Sequence, residues 1–234
     1  MNNPVKFISG RLIKRYKRFF ADVKLDSGEV VTAHCPNTGS MMGLLTEGNI
    51  VYLSKTDNEK RKLKYTLEII RDKGASVGVN THRANRIVEK AIIEKKISTL
   101  GKKYDYRREV KYGKNSKIDF LITNKKDEEI FLEVKNVTLS KRKGISEFPD
   151  AITERGSKHL LELIDVVKKN KRAIMLFLVQ RNDCKKFRIA EEIDSIYKKN
   201  IMNAMKAGVE ILCYGCSFVR NNIELDKKIK FIDK

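Results

Sequence analysis

Long apolar runs are missing from this 234-residue chain. The longest, Ala173-Ile174-Met175-Leu176-Phe177-Leu178-Val179, falls far short of the ~20 residues that a membrane-spanning helix requires, and the N-terminus has no apolar signal core. A soluble, cytoplasmic protein with no membrane partner is expected. Cysteine is scarce as well: Cys35, Cys184, Cys213 and Cys216 are too few and too scattered for a secreted disulfide framework. Cys213 and Cys216 have CxxC spacing, but zinc wants two further thiol or imidazole ligands and no second pair exists. The chain also lacks both the Gly-x-x-x-x-Gly-Lys-Ser/Thr loop and Gly-x-Gly-x-x-Gly, so no nucleotide cofactor is expected. Acidic residues are outnumbered, 30 Asp and Glu against 50 Lys and Arg, which leaves a net charge of +20. Such an excess exchanges condensed counterions for phosphate contacts, and nucleic acid is the expected partner.

Short clusters of Ile, Leu, Val and Phe recur throughout, so the chain folds. Residues 1–80 read as short strands, at 12–16, 19–25, 30–34, 50–54 and 65–70, cornered by turn formers such as Asp26-Ser27-Gly28 and Cys35-Pro36-Asn37-Thr38-Gly39-Ser40. Five strands of this kind suit a small closed barrel of the oligonucleotide-binding (OB) type. Residues 81–234 change texture. Thr81 stands where a helix cap would, ahead of Ala84, Ile87, Val88, Ala91 and Ile92 at helical spacing. Strands are expected at 109–112, 117–123 and 130–137. A helix is expected at 149–167, burying Ile152, Leu160, Leu163, Ile164 and Val167. A strand at 173–180 buried on both faces, a helix at 193–207 and a strand at 209–214 complete an α/β domain with a partly parallel sheet.

The chemistry concentrates in two strands joined by Asn124-Lys125-Lys126-Asp127-Glu128. An antiparallel pair symmetric about Lys126 sets Asp119 opposite Glu133, about 4.5–5.5 Å apart at Cβ. Lys135 shares the face of Glu133 by the strand period of two, while Ile118, Phe120, Leu132 and Val134 should point the other way. Two facing carboxylates repel unless a cation bridges them, and hard oxygen ligands suit Mg²⁺ or Mn²⁺. Asp119 and Glu133 are therefore the expected metal ligands, with Lys135 orienting a water or stabilising developing charge. This is the equipment of phosphodiester hydrolysis.

An Asp followed by Glu-x-Lys on the next strand resembles the core of the restriction-endonuclease-like (PD-(D/E)xK) fold. That resemblance implies a further acid from the preceding helix, for which Glu89 is the match. A closer resemblance runs along most of the chain. His34-Cys35-Pro36-Asn37-Thr38-Gly39-Ser40-Met41, Gly78-Val79-Asn80-Thr81, Ser116-Lys117-Ile118-Asp119-Phe120, Glu133-Val134-Lys135-Asn136-Val137-Thr138-Leu139, Phe148-Pro149-Asp150-Ala151 and Arg155-Gly156-Ser157-Lys158-His159-Leu160 resemble the sugar fermentation stimulation protein (SfsA) family. It implies an OB-fold domain, a nuclease-like α/β domain, DNA rather than RNA as partner, and a link to the regulation of sugar use. Two functions stay open: a Mg²⁺-dependent nuclease, and a noncatalytic DNA-binding regulator or architectural protein on the same fold.

Arg11, Lys14, Arg15, Lys17 and Arg18 interleave with Tyr16, Phe19 and Phe20, a combination of phosphate contacts and stacking rings that single-strand binders use. The aromatics either stack on bases or face the core. Lys60-Arg61-Lys62-Leu63-Lys64 reads as a solvated loop, and His34 and His82 as structural histidines. Arg155, Lys158, His159 and Glu162 share one helix face, from which Arg155, Lys158 and His159 are candidates for holding the scissile phosphate. Nothing in the sequence indicates an oligomeric state.

Overall fold

Alternation of apolar and polar residues dictates the first third of the chain: in Phe20–Leu25, Ala21, Val23 and Leu25 are buried while Lys24 faces solvent. The computed structural model describes residues 6–113, 116–219 and 222–233. Six strands come first: β1 (Phe7–Tyr16), β2 (Phe20–Leu25), β3 (Val30–His34), β4 (Ile50–Lys55), β5 (Tyr65–Asp72) and β6 (Ala75–Gly78). The β2–β3 turn is set by Gly28, whose φ of 93° favours glycine. β1 pairs antiparallel with both β2 and β4, β4 with β5, and β3 closes the ring by a short parallel contact with β5 through Ala33–Tyr65 and His34–Thr66. Leu12, Val23, Ala33, Val51, Leu53 and Leu67 fill the interior. This is a closed five-stranded OB barrel. The sequence did not suggest β6, which carries the barrel sheet toward the rest of the chain, where Gly78 N–H donates to the Gln180 carbonyl at 2.8 Å.

The second part starts with α1 (Arg83–Ile93), which buries Ala84, Ile87, Val88, Ala91 and Ile92 as the spacing predicts. Thr81 does not cap it. His82 occupies the cap position without a side-chain bond, and the Thr81 hydroxyl donates across to the Pro36 carbonyl of the barrel at 2.6 Å. Then follow β7 (Tyr104–Tyr112), β8 (Ser116–Asn124), β9 (Glu129–Val137), β10 (Leu139–Arg142), β11 (Ile145–Phe148), α2 (Glu154–Lys168), β12 (Arg172–Val179), β13 (Lys186–Ile189), α3 (Ser195–Ala207), β14 (Glu210–Val219), β15 (Asn222–Lys228) and β16 (Lys230–Phe231). The main sheet has the order β15-β14-β12-β9-β8-β7, parallel at its centre and antiparallel toward both edges. Helix, three-stranded meander, helix, strand is the order of the restriction-endonuclease-like fold, and the chain is an OB barrel followed by that α/β unit.

Both faces of the sheet are covered. α2 and α3 pack on one side with Leu121, Phe131, Met175 and Phe177, and α1 packs on the other with Phe120, Leu132, Ile174 and Leu176. Seven residues of β12 are buried, which is why its sequence is an unbroken apolar run. The helix expected from residue 149 begins instead at Glu154, where the Thr153 hydroxyl accepts from Gly156 N–H at 3.1 Å. Ile152 therefore lies ahead of the helix and is 75% exposed rather than buried. The strands β10, β11, β13 and β16 form a small sheet too short to leave a periodic signal.

Candidate active site

The tip of the β8–β9 ribbon is shaped by Asn124, whose Oδ1 accepts from the N–H groups of Lys126 and Glu128. Pairing then runs Thr123–Glu129, Ile122–Ile130, Leu121–Phe131 and Phe120–Leu132, the register symmetric about Lys126. It ends there. Asp119 Oδ2 accepts the Val134 N–H at 2.8 Å in place of a ladder bond.

Ile118 and Phe120 do not share a face, contrary to simple alternation: Ile118 packs in the α2-side core and Phe120 in the α1-side core. The same inversion occurs in β7 between Tyr106 and Val110. Between these two strands the pairs Arg108–Phe120 and Val110–Ile118 flank an interrupted step at Glu109 and Asp119, and Glu109 adopts a φ of 53°. A left-handed residue inside a strand rotates the following side chains to the opposite face. Asp119 consequently sits where both sides of the sheet are within reach, and Asn85 of α1 donates to its Oδ1 at 2.7 Å.

Glu133 and Lys135 extend from regular β9 toward α2. Glu133 is 3% exposed. Its Oε1 accepts from Lys135 Nζ at 2.8 Å and contacts His159 Nδ1, while Lys135 Nζ lies 3.2 Å from the same imidazole nitrogen. Its Oε2 is buried with no hydrogen-bond partner among the described residues. Burial acts to raise the Glu133 carboxyl, but the His159 hydrogen bond and the Lys135 charge outweigh it and hold the group below its ordinary range. Asp119 goes the other way. Burial, followed by the Glu133 charge, pushes it up to about 6 against the opposing effects of Val134 N–H, Asn85 and Lys135.

Asp119, Glu133 and His159 line a cleft of about 400 Å³ together with Glu109, Lys117, Arg155 and Lys158. The α2 residues Arg155, Lys158 and His159 thus stand on the cleft, and Arg155 Nε approaches His159 Nε2 at 3.5 Å. Glu89 does not reach it: its carboxylate accepts from Tyr106 Oη at 3.2 Å and pairs with Arg108 at 2.8 Å. The α1 residue that reaches Asp119 is Asn85, one turn earlier on the same helix face, so the period was legible and the turn was not. Glu109 was also missed, because nothing local marks a strand residue for a left-handed conformation. Among the described residues no three His, Cys, Asp or Glu side chains are arranged to hold a metal ion; Asp119 and Glu133 are the two carboxylates coupled to each other in the cleft, and Glu109 lines it as well.

On the barrel, Arg11 donates to the Gly48 carbonyl at 3.1 Å, Lys14 extends into solvent, and Lys17 and Arg18 form the exposed turn into β2. Arg15 is not a free phosphate contact. Its guanidinium donates to the carbonyls of Arg18, Asn37 and Gly39, the two Arg18 bonds at 3.2 and 3.0 Å and the others at 2.7 and 3.1 Å, which ties the 37–39 loop to β1. Tyr16 stacks on Phe20 at 5.4 Å between centroids and donates to Asp22, while Phe19 is 46% exposed. Cys213 and Cys216 lie in opposite cores and burial pushes both thiols up. No helix among the described residues is long and apolar enough to cross a membrane.

Comparison with known proteins gives two family matches. The sugar fermentation stimulation protein RE domain matches residues 82–222, and the SfsA N-terminal OB domain matches residues 13–79. A sugar fermentation stimulation protein homolog of Pelagibacter ubique (strain HTCC1062) is 53% identical over 226 residues, 97% of each chain. A homolog of Maricaulis maris (strain MCS10) is 50% identical over 216 residues, 92% of each chain. The solved structure of Pyrococcus furiosus SfsA in complex with Ca²⁺ superposes with a TM-score of 0.88 at 25% identity, covering 97% of this chain and 96% of that one.

Proposed function

The chain belongs to the sugar fermentation stimulation protein family, and on that premise we propose that it binds nucleic acid, DNA before RNA, and hydrolyses phosphodiester bonds in the Asp119 cleft with Mg²⁺ or Mn²⁺. Its setting, on the family's name, is the regulation of sugar use in the cytoplasm. The observation that carries the reading is the inequality of the two acids: Asp119 is pushed up to about 6, and Glu133 keeps one buried oxygen without a partner. An orphaned carboxylate oxygen beside a second, half-buried carboxylate fits a hard cation, and a relative of the same fold is solved with Ca²⁺.

Asp119 and Glu133 would hold the metal, which supplies Lewis acidity and a water of lowered pKa when bound. The chain's own residues supply the rest. Lys135 and His159 engage Glu133 Oε1, so Oε2, unpartnered among the described residues, is the oxygen that would take the metal. Asn85 and Val134 N–H fix the orientation of the Asp119 carboxylate. Arg155 and Lys158, on the facing wall, hold the scissile phosphate and its developing charge.

A noncatalytic binder is the second reading, favoured by the fact that Glu133 is already paired with Lys135 and in contact with His159. Incubation of single-stranded DNA, duplex DNA and RNA with Mg²⁺ or Mn²⁺ decides between them. Cleavage by the wild type and its loss in Asp119→Ala are expected. Cleavage that persists in Asp119→Ala removes the assignment, and binding without any cleavage leaves the regulator.

A further inference from the structure

Where the barrel meets α1, a second cleft of about 640 Å³ opens. Its walls are the ends of β3 and β4, the 61–63 segment and the first turn of α1. Five cations line it, Lys55, Arg61, Lys62, Arg83 and Arg86, against one carboxylate, Glu68. That carboxylate is spent. Glu68 is 2% exposed; its Oε1 accepts from Ser54 Oγ at 2.6 Å, and its Oε2 accepts from Asn80 Nδ2 at 2.9 Å and pairs with Arg83. Glu68 therefore fixes one wall and neutralises one cation of five. Arg61 is braced by a 3.1 Å bond to Thr66 Oγ1, while Lys55, Lys62 and Arg86 are exposed.

The field in this cleft is not offset locally. α1 begins there with no side-chain cap and no acid in its first turn, so the positive end of the helix dipole adds to the cations. Burial, then the charge of Arg61 and of His82, holds the His34 imidazole below its ordinary value, the response expected where a further positive charge is unwelcome. Neither Phe nor Tyr is among the described lining residues, so the cleft is built for phosphates and not for base stacking. It is also connected to the acids through α1: Asn85, the neighbour of Arg86, hydrogen-bonds Asp119.

We propose that this cleft is the main phosphate-binding site of the molecule, engaging consecutive phosphodiesters of a nucleic-acid strand that α1 then directs to the Asp119 cleft. The string at 60–64 is on this account a wall of the binding site and not merely a solvated loop. The proposal rests on the reading that the chain binds nucleic acid.

The test is fluorescence anisotropy of a labelled single-stranded oligonucleotide of ~20 nucleotides, long enough for several contacts, in a salt series with metal chelated. Wild type is compared with Lys55→Ala/Lys62→Ala/Arg86→Ala and with Arg11→Ala/Lys14→Ala/Lys17→Ala on the barrel. The cleft variant should melt like wild type, lose affinity at least ~10-fold at low salt, and show a salt slope flatter by about 2, at roughly 0.7 per contact for single strands. The barrel variant should lose less. Wild-type binding with an unchanged cleft variant, or a larger loss in the barrel variant, overturns this inference and leaves the proposed function standing. Absence of wild-type binding overturns both. Inorganic tripolyphosphate is the competitor: displacement as strong as that by unlabelled oligonucleotide makes this a free polyphosphate site and overturns the assignment to nucleic acid.

Discussion

Asp119 accepts the main-chain N–H of Val134, so the strand ladder stops one step short of Glu133 and the two acids meet through a side chain instead of a sheet pair. The Val134 N–H and Asn85 hydrogen bonds orient this carboxylate where partial burial and the charge of Glu133 act on it. The stress is visible in its elevated pKa of about 6, and a bound cation or a proton relieves it.

That elevation makes stability depend on pH. The folded protein binds the Asp119 proton more tightly than the unfolded chain, whose value is near 3.8. The stabilisation is complete below that value and is lost as pH rises through about 6, on the order of 2–3 kcal/mol. Urea midpoints of metal-free wild type and Asp119→Asn between pH 4 and 7 should diverge, with the variant relatively more stable at the upper end. Parallel profiles would show that Asp119 titrates normally.

Glu133→Gln removes the charge that holds Lys135 and His159, whose side chains are only 14% and 6% exposed. Leaving the Lys135 ammonium without its buried partner is expected to cost about 2–4 kcal/mol. Chemical denaturation measures it; a change below about 0.5 kcal/mol, the scale of a surface pair, would contradict the buried cluster.

Glu89 and Asn85 separate cleanly. Glu89→Gln loses a partly exposed pair with Arg108 and should change stability by no more than about 1 kcal/mol, leaving the pH profile of Asp119 as it was. Asn85→Ala deletes a hydrogen bond that lowers the Asp119 value, so the inflection of that profile should move upward. Equal effects from the two substitutions would return Glu89 to the site.

Arg15→Ala frees three loop carbonyls at once and should destabilise by roughly 1–3 kcal/mol. Lys14→Ala, at an exposed side chain, should stay within about 0.5 kcal/mol and show its effect in the salt dependence of nucleic-acid binding. Melting curves of the two proteins are the check.

The barrel strands, the buried strand β12 and the β8–β9 register were legible because each depends on neighbours in sequence: alternation, turn formers at a corner, a polar tip with matching arms. Helix α1 was legible down to its five buried residues. Its cap was not, since the Thr81 hydroxyl serves a carbonyl 45 positions away. Ile152 was misassigned because β11, too short to leave a pattern, ends just before it. The motif blocks that resembled the sugar fermentation stimulation family are matched by membership in it.

Period-two geometry and a symmetric turn were enough, without any coordinates, to bring Asp119 and Glu133 together and to set Lys135 beside them. Folding alone decided which of the two acids is strained and which is neutralised, that Asn85 and not Glu89 attends them, that Arg15 is committed to a loop, and that Lys55, Lys62 and Arg86 converge on one cleft. The reason is physical: strand and helix periods are properties of a few adjacent residues, whereas desolvation and charge coupling depend on what distant segments bring within a few ångströms.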